Sequence, residues 1–181
     1  MVKFSKEVNG ALERASSTHG LDLKFLRTIA HIESSGNPKR STGKYKGLFQ
    51  LSAEGFRKHG GKGSIFNPLE NAHAGAKKLL DDKRNFTKRH GREPTQQELY
   101  LAHQQGVSGS LAHIRYPDRA AWRSMHSTTE GHKRGEAWSK RAIWQNLTPA
   151  AKLKFGKVEN VTSQDFIDFW AERFDKVAAL V

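Results

Sequence analysis

Apolar residues recur at helical spacing along nearly the whole chain. Phe4, Val8, Ala11, Leu12 and Ala15 fall on one helix face. His19-Gly20 breaks that helix, and Asp22 is placed to cap the next. In the second helix Leu26, Ile29, Ala30 and Glu33 share one stripe, so a carboxylate occupies an apolar position. Ser35 to Tyr45 is dense in Gly, Pro, Asn and Ser and reads as a loop. Asn67-Pro68-Leu69-Glu70 has the order of a helix start, with Asn as N-cap, Pro in the first turn and Glu at the third position. Leu69, Ala72, Ala76, Leu79 and Phe86 then point one way up to His90-Gly91. Thr95 with Glu98 repeats the capping pattern ahead of Leu99, Leu101 and Ala102, and Ser163 opens a last helix with Phe166, Trp170, Phe174 and Val177 on its apolar face. Gly60-Gly61 ends a short helix after Ser52. Residues 115–145 read as loop-rich and partly helical.

No alternating strand pattern exceeds a few residues, so the expected fold is mainly α. Any sheet is confined to a short hairpin near residues 40–52. The length, 181 residues, suits one domain over residues 1–181, with residues 115–181 as its helical C-terminal part. Composition narrows the function. Lys+Arg 31 against Asp+Glu 18 gives a net charge of +13, which points to an anionic partner: nucleic acid, a membrane surface or an acidic envelope polymer. The absence of cysteine excludes disulfides, thiol catalysis and thiolate metal sites. No apolar run approaches the roughly 18 residues of a membrane span. Met1 to Gly10 mixes charged and polar residues where a signal peptide needs an apolar stretch, so no Sec address is expected.

Glu33 is the first candidate for chemistry. On a core-facing stripe at a helix C-terminus, both desolvation and the negative dipole end raise a carboxyl pKa. A carboxylic acid kept protonated near neutral pH is what protonation of a glycosidic oxygen requires. The alternative is a rim glutamate paired with Arg27 or a nearby lysine. Periodicity alone leaves the two open.

The surrounding strings carry more. Ile32-Glu33-Ser34-Ser35-Gly36-Asn37-Pro38 is followed by Gly47-Leu48-Phe49-Gln50, then by Asn67-Pro68 with Glu70-Asn71 and Ala74-Gly75. Leu101-Ala102-His103-Gln104-Gln105-Gly106 comes last. In order and spacing these resemble the soluble lytic transglycosylase family, a lysozyme-like group acting on peptidoglycan, over roughly residues 20–110. The resemblance implies a mostly helical lysozyme-like fold of the goose-type kind, no cofactor, and a glycan-strand substrate. By position Glu33 matches the family's sole catalytic acid/base, Ser34 the serine beside it, and Gln50 the glutamine that lines the sugar cleft. Gln104 stands where the family usually has Asn, and His103 where it usually has Tyr. Both are departures, and a helix-surface histidine is the alternative reading of His103. Lys44 and Lys46 stand where the family tends to have small residues, which suits an anionic glycan, although either one singly reads as a solvated loop charge.

The resemblance also implies a single-carboxylate reaction that closes a 1,6-anhydro ring at N-acetylmuramic acid. Hydrolysis by a lysozyme-type muramidase is the alternative and needs a second acid. Glu54, one helical turn after Gln50 on this reading, is its best candidate. Glu70 fits as a helix cap, and Asp81-Asp82 as a solvated face among Lys77, Lys78, Lys83 and Arg84. A basic DNA-binding protein is a further alternative, although no DNA-reading motif accompanies the charge and the basic residues are scattered. Metal ligation is not expected: no H-E-x-x-H spacing exists, and His126, Glu130 and His132 offer only an incidental site. A basic, cysteine-free wall enzyme without a signal peptide resembles bacteriophage endolysins and virion-associated lysins. Such a protein is made in the host cytoplasm and reaches the wall in the periplasm through a holin or from the virion. A monomer is expected, held to the anionic envelope by its charge, with no specific nucleic-acid partner. Trp122, Trp138 and Trp144 are assigned to the core rather than to sugar stacking.

Overall fold

The computed structural model describes residues 2–181. Among them are ten α-helices, a 3-10 turn at Val158–Asn160 and one small sheet. The chain is therefore mainly α, consistent with a lysozyme-like helical domain. Its contacts gather into two compact units, Met1–Arg84 with Phe174–Val181, and Asn85–Arg173.

The first unit begins with α1 (Lys6–His19) and α2 (Leu23–Ser34). Ser5 Oγ accepts the Val8 N–H at 3.2 Å, and Gly20, at φ +65°, ends α1. Phe4 precedes this cap and so leaves the helix face to which its spacing assigned it. Its ring lies against Gly36, where a Cβ would stand 2.5 Å from Cδ1, and edge-on to His31 at 6.4 Å. Asp22 Oδ1 accepts the Phe25 N–H at 2.7 Å, and Phe25, Leu26, Ile29 and Ala30 are buried, as the stripe requires. Phe25 also meets Phe174, from the end of α10 (Ser163–Ala178), at 5.8 Å.

The loop segment folds into three short antiparallel strands, one more than a hairpin: β1 (Ser41–Thr42), β2 (Tyr45–Lys46) and β3 (Leu51–Ser52), in the order β1-β2-β3. Thr42 pairs with Tyr45 around Gly43 at φ +59°, the conformation for which tight hairpins use glycine. Ser52 caps α3 (Ala53–Lys58) by accepting the Gly55 N–H. Asn67 Oδ1 accepts from both Leu69 and Glu70 at the start of α4 (Pro68–His90). Glu70 does not complete a capping box. Its carboxylate turns to the Lys62 and Gly63 N–H groups of the preceding loop, which hold its pKa below the ordinary value.

The second unit takes the end of α4, then α5 (Gln96–Arg115), α6 (Ala121–His126), α7 (Thr129–Arg134), α8 (Glu136–Trp144), α9 (Pro149–Phe155) and most of α10. The Thr95–Glu98 box is present in full. Residues 115–145, which read as loop-rich, form three short helices. Thr128 caps α7, and Gly135 at φ +85° separates α7 from α8. Helices of six to nine residues are too short for a 3.6-residue period to stand out. Trp122 is buried, whereas Trp138 and Trp144 are half-buried beneath Arg134 and Lys152. Ser163 opens α10 as its sequence suggests, and Thr162 before it caps the helix through reciprocal 3.0 Å bonds with Asp165.

Ser163 turns inward instead. Its hydroxyl donates to Ser124 Oγ at 2.9 Å and lies 3.0 Å from His113 Nδ1, which leaves Nδ1 as the donor of that second bond. Burial lowers the His113 pKa from 6.5 to about 4. The folded chain thus keeps a neutral ring where the unfolded chain takes up a proton. The stability this represents is complete above 6.5 and drains as pH falls to about 4, a loss of roughly 3 kcal/mol. His113→Asn, which keeps a neutral donor, is expected to flatten the melting temperature between pH 4 and 6.5 relative to wild type. Parallel acid profiles for the two proteins in a thermal melt would remove His113 as the cause.

Candidate active site

Glu33 is the penultimate residue of α2 and is half-buried. The helix end beneath it is tightly made. Ser34, buried, donates from Oγ to the Ala30 carbonyl at 2.8 Å. Ser35 and Gly36 both adopt positive φ, and their N–H groups return to His31 O at 2.8 Å and Ala30 O at 3.2 Å. Asn37 Oδ1 accepts the Lys39 N–H and shapes the turn at Pro38. Thus the residues from Ser34 to Asn37 stop the helix immediately after its carboxylate. Arg27, one of the cations that a rim glutamate would need, is used elsewhere: Nη2 donates to Asn9 Oδ1 at 3.2 Å and to Glu13 Oε1 at 3.3 Å.

Gln50 lies in the same unit, between β2 and β3, with φ +46°. Its Nε2 donates to Gly47 O at 2.9 Å and Arg40 O at 3.2 Å, while Oε1 is buried with no partner. A buried amide oxygen left unmatched costs about 1–3 kcal/mol until a donor reaches it.

Beyond the β2–β3 pairing, the segment carrying Gln50 is clamped by Asn71 of α4. Asn71 Oδ1 accepts the Phe49 N–H at 2.9 Å, and Nδ2 donates to Ile65 O at 2.8 Å and Lys46 O at 3.3 Å. Gly47, at φ +81°, leaves space for this amide: a Cβ there would overlap Asn71 Nδ2 and stand 2.6 Å from Ile65 O. Gly75, one turn after Asn71, packs against the Phe49 ring, where a Cβ would be 2.5 Å from Cγ. The Asn and Gly of the third string are therefore the clamp on the second. The sequence signal was the pairing of Asn71 with Gly75; what they grip was not legible.

The other carboxylates of this unit differ in how far they are committed. Glu70 is bonded to the Lys62–Gly63 backbone. Asp81 meets His59 Nε2 at 3.3 Å and also Arg84. Asp82 is not on a solvated face as its neighbours suggested: it is desolvated against the unit, which raises its pKa even though Lys78 Nζ sits 2.6 Å away. Glu54 is exposed in the first turn of α3 and makes no ion pair or hydrogen bond among the described residues. It does not share a helix with Gln50, because β3 and the Ser52 cap lie between them.

His103 and Gln104 belong to the second unit, on α5. Gln104 Nε2 donates to the hydroxyl of buried Tyr100 at 3.1 Å, and the His103 and Tyr100 rings lie nearly parallel with centroids 6.4 Å apart. Their segment ends at Gly106, whose φ +70° and ψ 155° interrupt α5. Sequence reasoning passed over Tyr100, which supplies a buried phenol one turn before Gln104. In the same unit His126 and His132 approach to 5.0 Å, while Glu130 pairs with Arg134 at 2.9 Å. No three ligating side chains gather among the described residues.

Residues 10–117 match the family model described as the Transglycosylase SLT domain. The match spans well over half of the chain and contains Glu33, Ser34, Gln50, Asn71, Gly75, His103 and Gln104. The chain belongs to this family. As a transglycosylase SLT domain protein it is a peptidoglycan-cleaving enzyme whose place of action is the cell wall. A comparison with curated proteins gave no match. No helix among the described residues is long and apolar enough to cross a membrane.

Proposed function

We propose that this SLT domain cleaves the β-1,4 bond between N-acetylmuramic acid and N-acetylglucosamine as a lytic transglycosylase, with Glu33 as its single acid/base. The observation that carries this reading is the family match over residues 10–117, within which Glu33 is the carboxylate at the end of α2, inside the first of the ordered strings. Protonated Glu33 gives its proton to the departing glycosidic oxygen as the C1–O bond breaks. The N-acetyl group supports the positive charge at C1. Glu33, now ionised, removes the proton from the C6 hydroxyl of the same sugar, O6 bonds to C1, and the carboxyl returns to its starting state. No water enters. The C6 hydroxyl outcompetes water because its effective concentration within the same ring is very high.

Other residues serve this step in the proposal. Gln50 offers its unmatched Oε1 to a sugar hydroxyl or amide N–H. Ser34 keeps the helix end that carries Glu33 closed through its bond to Ala30. Within the second unit, Tyr100 fixes the Gln104 amide on α5, and Gln104 and His103 are assigned to sugar binding by family resemblance alone. The net charge of +13 holds the enzyme to an anionic envelope. One observation favours a second reading. Glu54 is exposed and unpaired, so it is available to position water in a hydrolytic muramidase. Mass spectrometry of digested peptidoglycan separates the two. Soluble fragments lighter by one water, with anhydro ends, are expected; reducing ends as the main product would transfer the assignment to hydrolysis.

A further inference from the structure

The second unit contains a cavity of about 360 Å³ whose rim carries three arginines and no acid: Arg89 from the end of α4, Arg115 from the end of α5, and Arg119 from the turn that follows. None of the three makes an ion pair among the described residues. This is unusual where acids are near in sequence: Asp118 adjoins Arg119 but does not line the cavity, and Glu130 on α7 is taken by Arg134. Two of the guanidinium groups are nevertheless held in place by neutral partners. Arg89 Nη1 donates to Ser108 Oγ at 2.8 Å, and Arg119 lies over the Tyr116 ring at 3.8 Å. Such contacts fix a guanidinium without neutralising it, which leaves its charge and its remaining N–H groups for a ligand. Ser108, having accepted from Arg89, still has its own hydroxyl proton to give.

We propose that this cavity is a binding site for a phosphate ester, and that the ester belongs to a phosphate-bearing polymer of the envelope on which the enzyme acts. Three considerations select the ligand. First, planar guanidinium forks sharing one lining match the several oxygens of a phosphate better than a lysine cluster does, and better than the two oxygens of a carboxylate require. Second, a volume of about 360 Å³ falls in the range of small-molecule sites and leaves room beyond a bare ion for the alcohol that the phosphate esterifies. Third, buried Leu111 gives that room an apolar wall. The polymer source rests on the peptidoglycan-cleaving reading; the small-ester binding does not. Arg119, Ser127, Thr128 and Thr129 lie beyond the stretch matched by the family model, whereas Arg89, Ser108, Leu111 and Arg115 lie within it.

The test uses the full chain and sn-glycerol 3-phosphate, measured by titration calorimetry, with acetate as competitor. Wild type is expected to bind the ester. Arg115→Ala with Arg119→Ala is expected to weaken it by about tenfold or more, as loss of charge-assisted bidentate bonds predicts. Lys133→Ala with Lys154→Ala, which removes equal charge elsewhere, leaves it within about twofold. The milder pair Arg115→Lys with Arg119→Lys keeps the charge and is expected to lose part of the affinity, a loss that misfolding does not explain. Equal binding by wild type and the alanine pair, or displacement of the ester by acetate at matched concentration, overturns the site. Retention on purified walls is then compared before and after chemical removal of phosphodiester polymers. Wild type should lose retention on stripped walls and the alanine pair should lack it on both. If ester binding is confirmed but walls do not retain the protein, or if duplex DNA displaces the ester and wall polymer does not, the envelope source is overturned while the pocket stands.

Discussion

Glu33→Gln is expected to reduce peptidoglycan cleavage by about a thousandfold or more, with the fold unchanged. General acid or base catalysis by one group is worth about 10² to 10⁴ in rate, and here the same carboxyl serves both halves of the reaction. The amide keeps the shape and volume of the side chain but can neither give a proton to the leaving oxygen nor take one from the C6 hydroxyl. Its position at the end of α2, half-buried and outside the set of fully buried core residues, makes the structural cost of the change small. Turbidity loss of a wall suspension measures the rate, and a thermal melt checks the fold. A variant that clears walls at a tenth of the wild-type rate or faster would falsify the assignment of Glu33.

Asn71→Ala is expected to have the largest effect on stability. The side chain makes three hydrogen bonds to backbone groups on two other segments. Removing it strands a buried N–H at Phe49 and two carbonyl groups, each worth about 1–3 kcal/mol when unsatisfied. It also leaves a void beside Gly47. A loss of roughly 3 kcal/mol or more follows, measured by denaturant unfolding. Asn71→Asp gives the diagnostic comparison. It keeps the acceptor for Phe49 but turns an oxygen toward Ile65 O and Lys46 O, so it should be nearly as damaging as alanine. If the clamp is the cause, activity in both variants falls with the order of Gln50, ahead of any global unfolding. Near-wild-type stability in both would show that the second string is held by something else.

These residues also show what the sequence could and could not reveal. Asp22, Asn67 and the Thr95–Glu98 box were legible because a cap bonds a side chain to a backbone N–H two or three residues away, so its signal is local. The apolar stripe that exposed Glu33 was legible for the same reason. What Asn71 grips was not, since it reaches Phe49 across 22 residues, and His113 reaches Ser163 across 50. Such bonds leave no periodic trace. Asp82 misled because a charge among lysines reads as solvated, whereas its burial depends on how α4 packs. Glu54 and Gln50 misled because a two-residue strand and a serine cap intervene, and both are too short to register. The candidate site residues divide similarly. Glu33 had a physical signal of its own; Gln50, His103 and Gln104 were found only through family resemblance. Arg89 lies far before Arg115 and Arg119 in the chain, so nothing local marked the three arginines of the second-unit cavity as one group.

The most direct measurement of the central claim is digestion of purified peptidoglycan in water enriched in oxygen-18, followed by mass spectrometry of the newly formed muramic-acid ends. Intramolecular closure by Glu33 predicts anhydro ends that carry no label, produced by wild type and by Glu54→Gln alike, and absent with Glu33→Gln. Label incorporated at those ends during cleavage, and lost when Glu54 is replaced, would contradict the single-carboxylate account and make this SLT domain a two-carboxylate hydrolase.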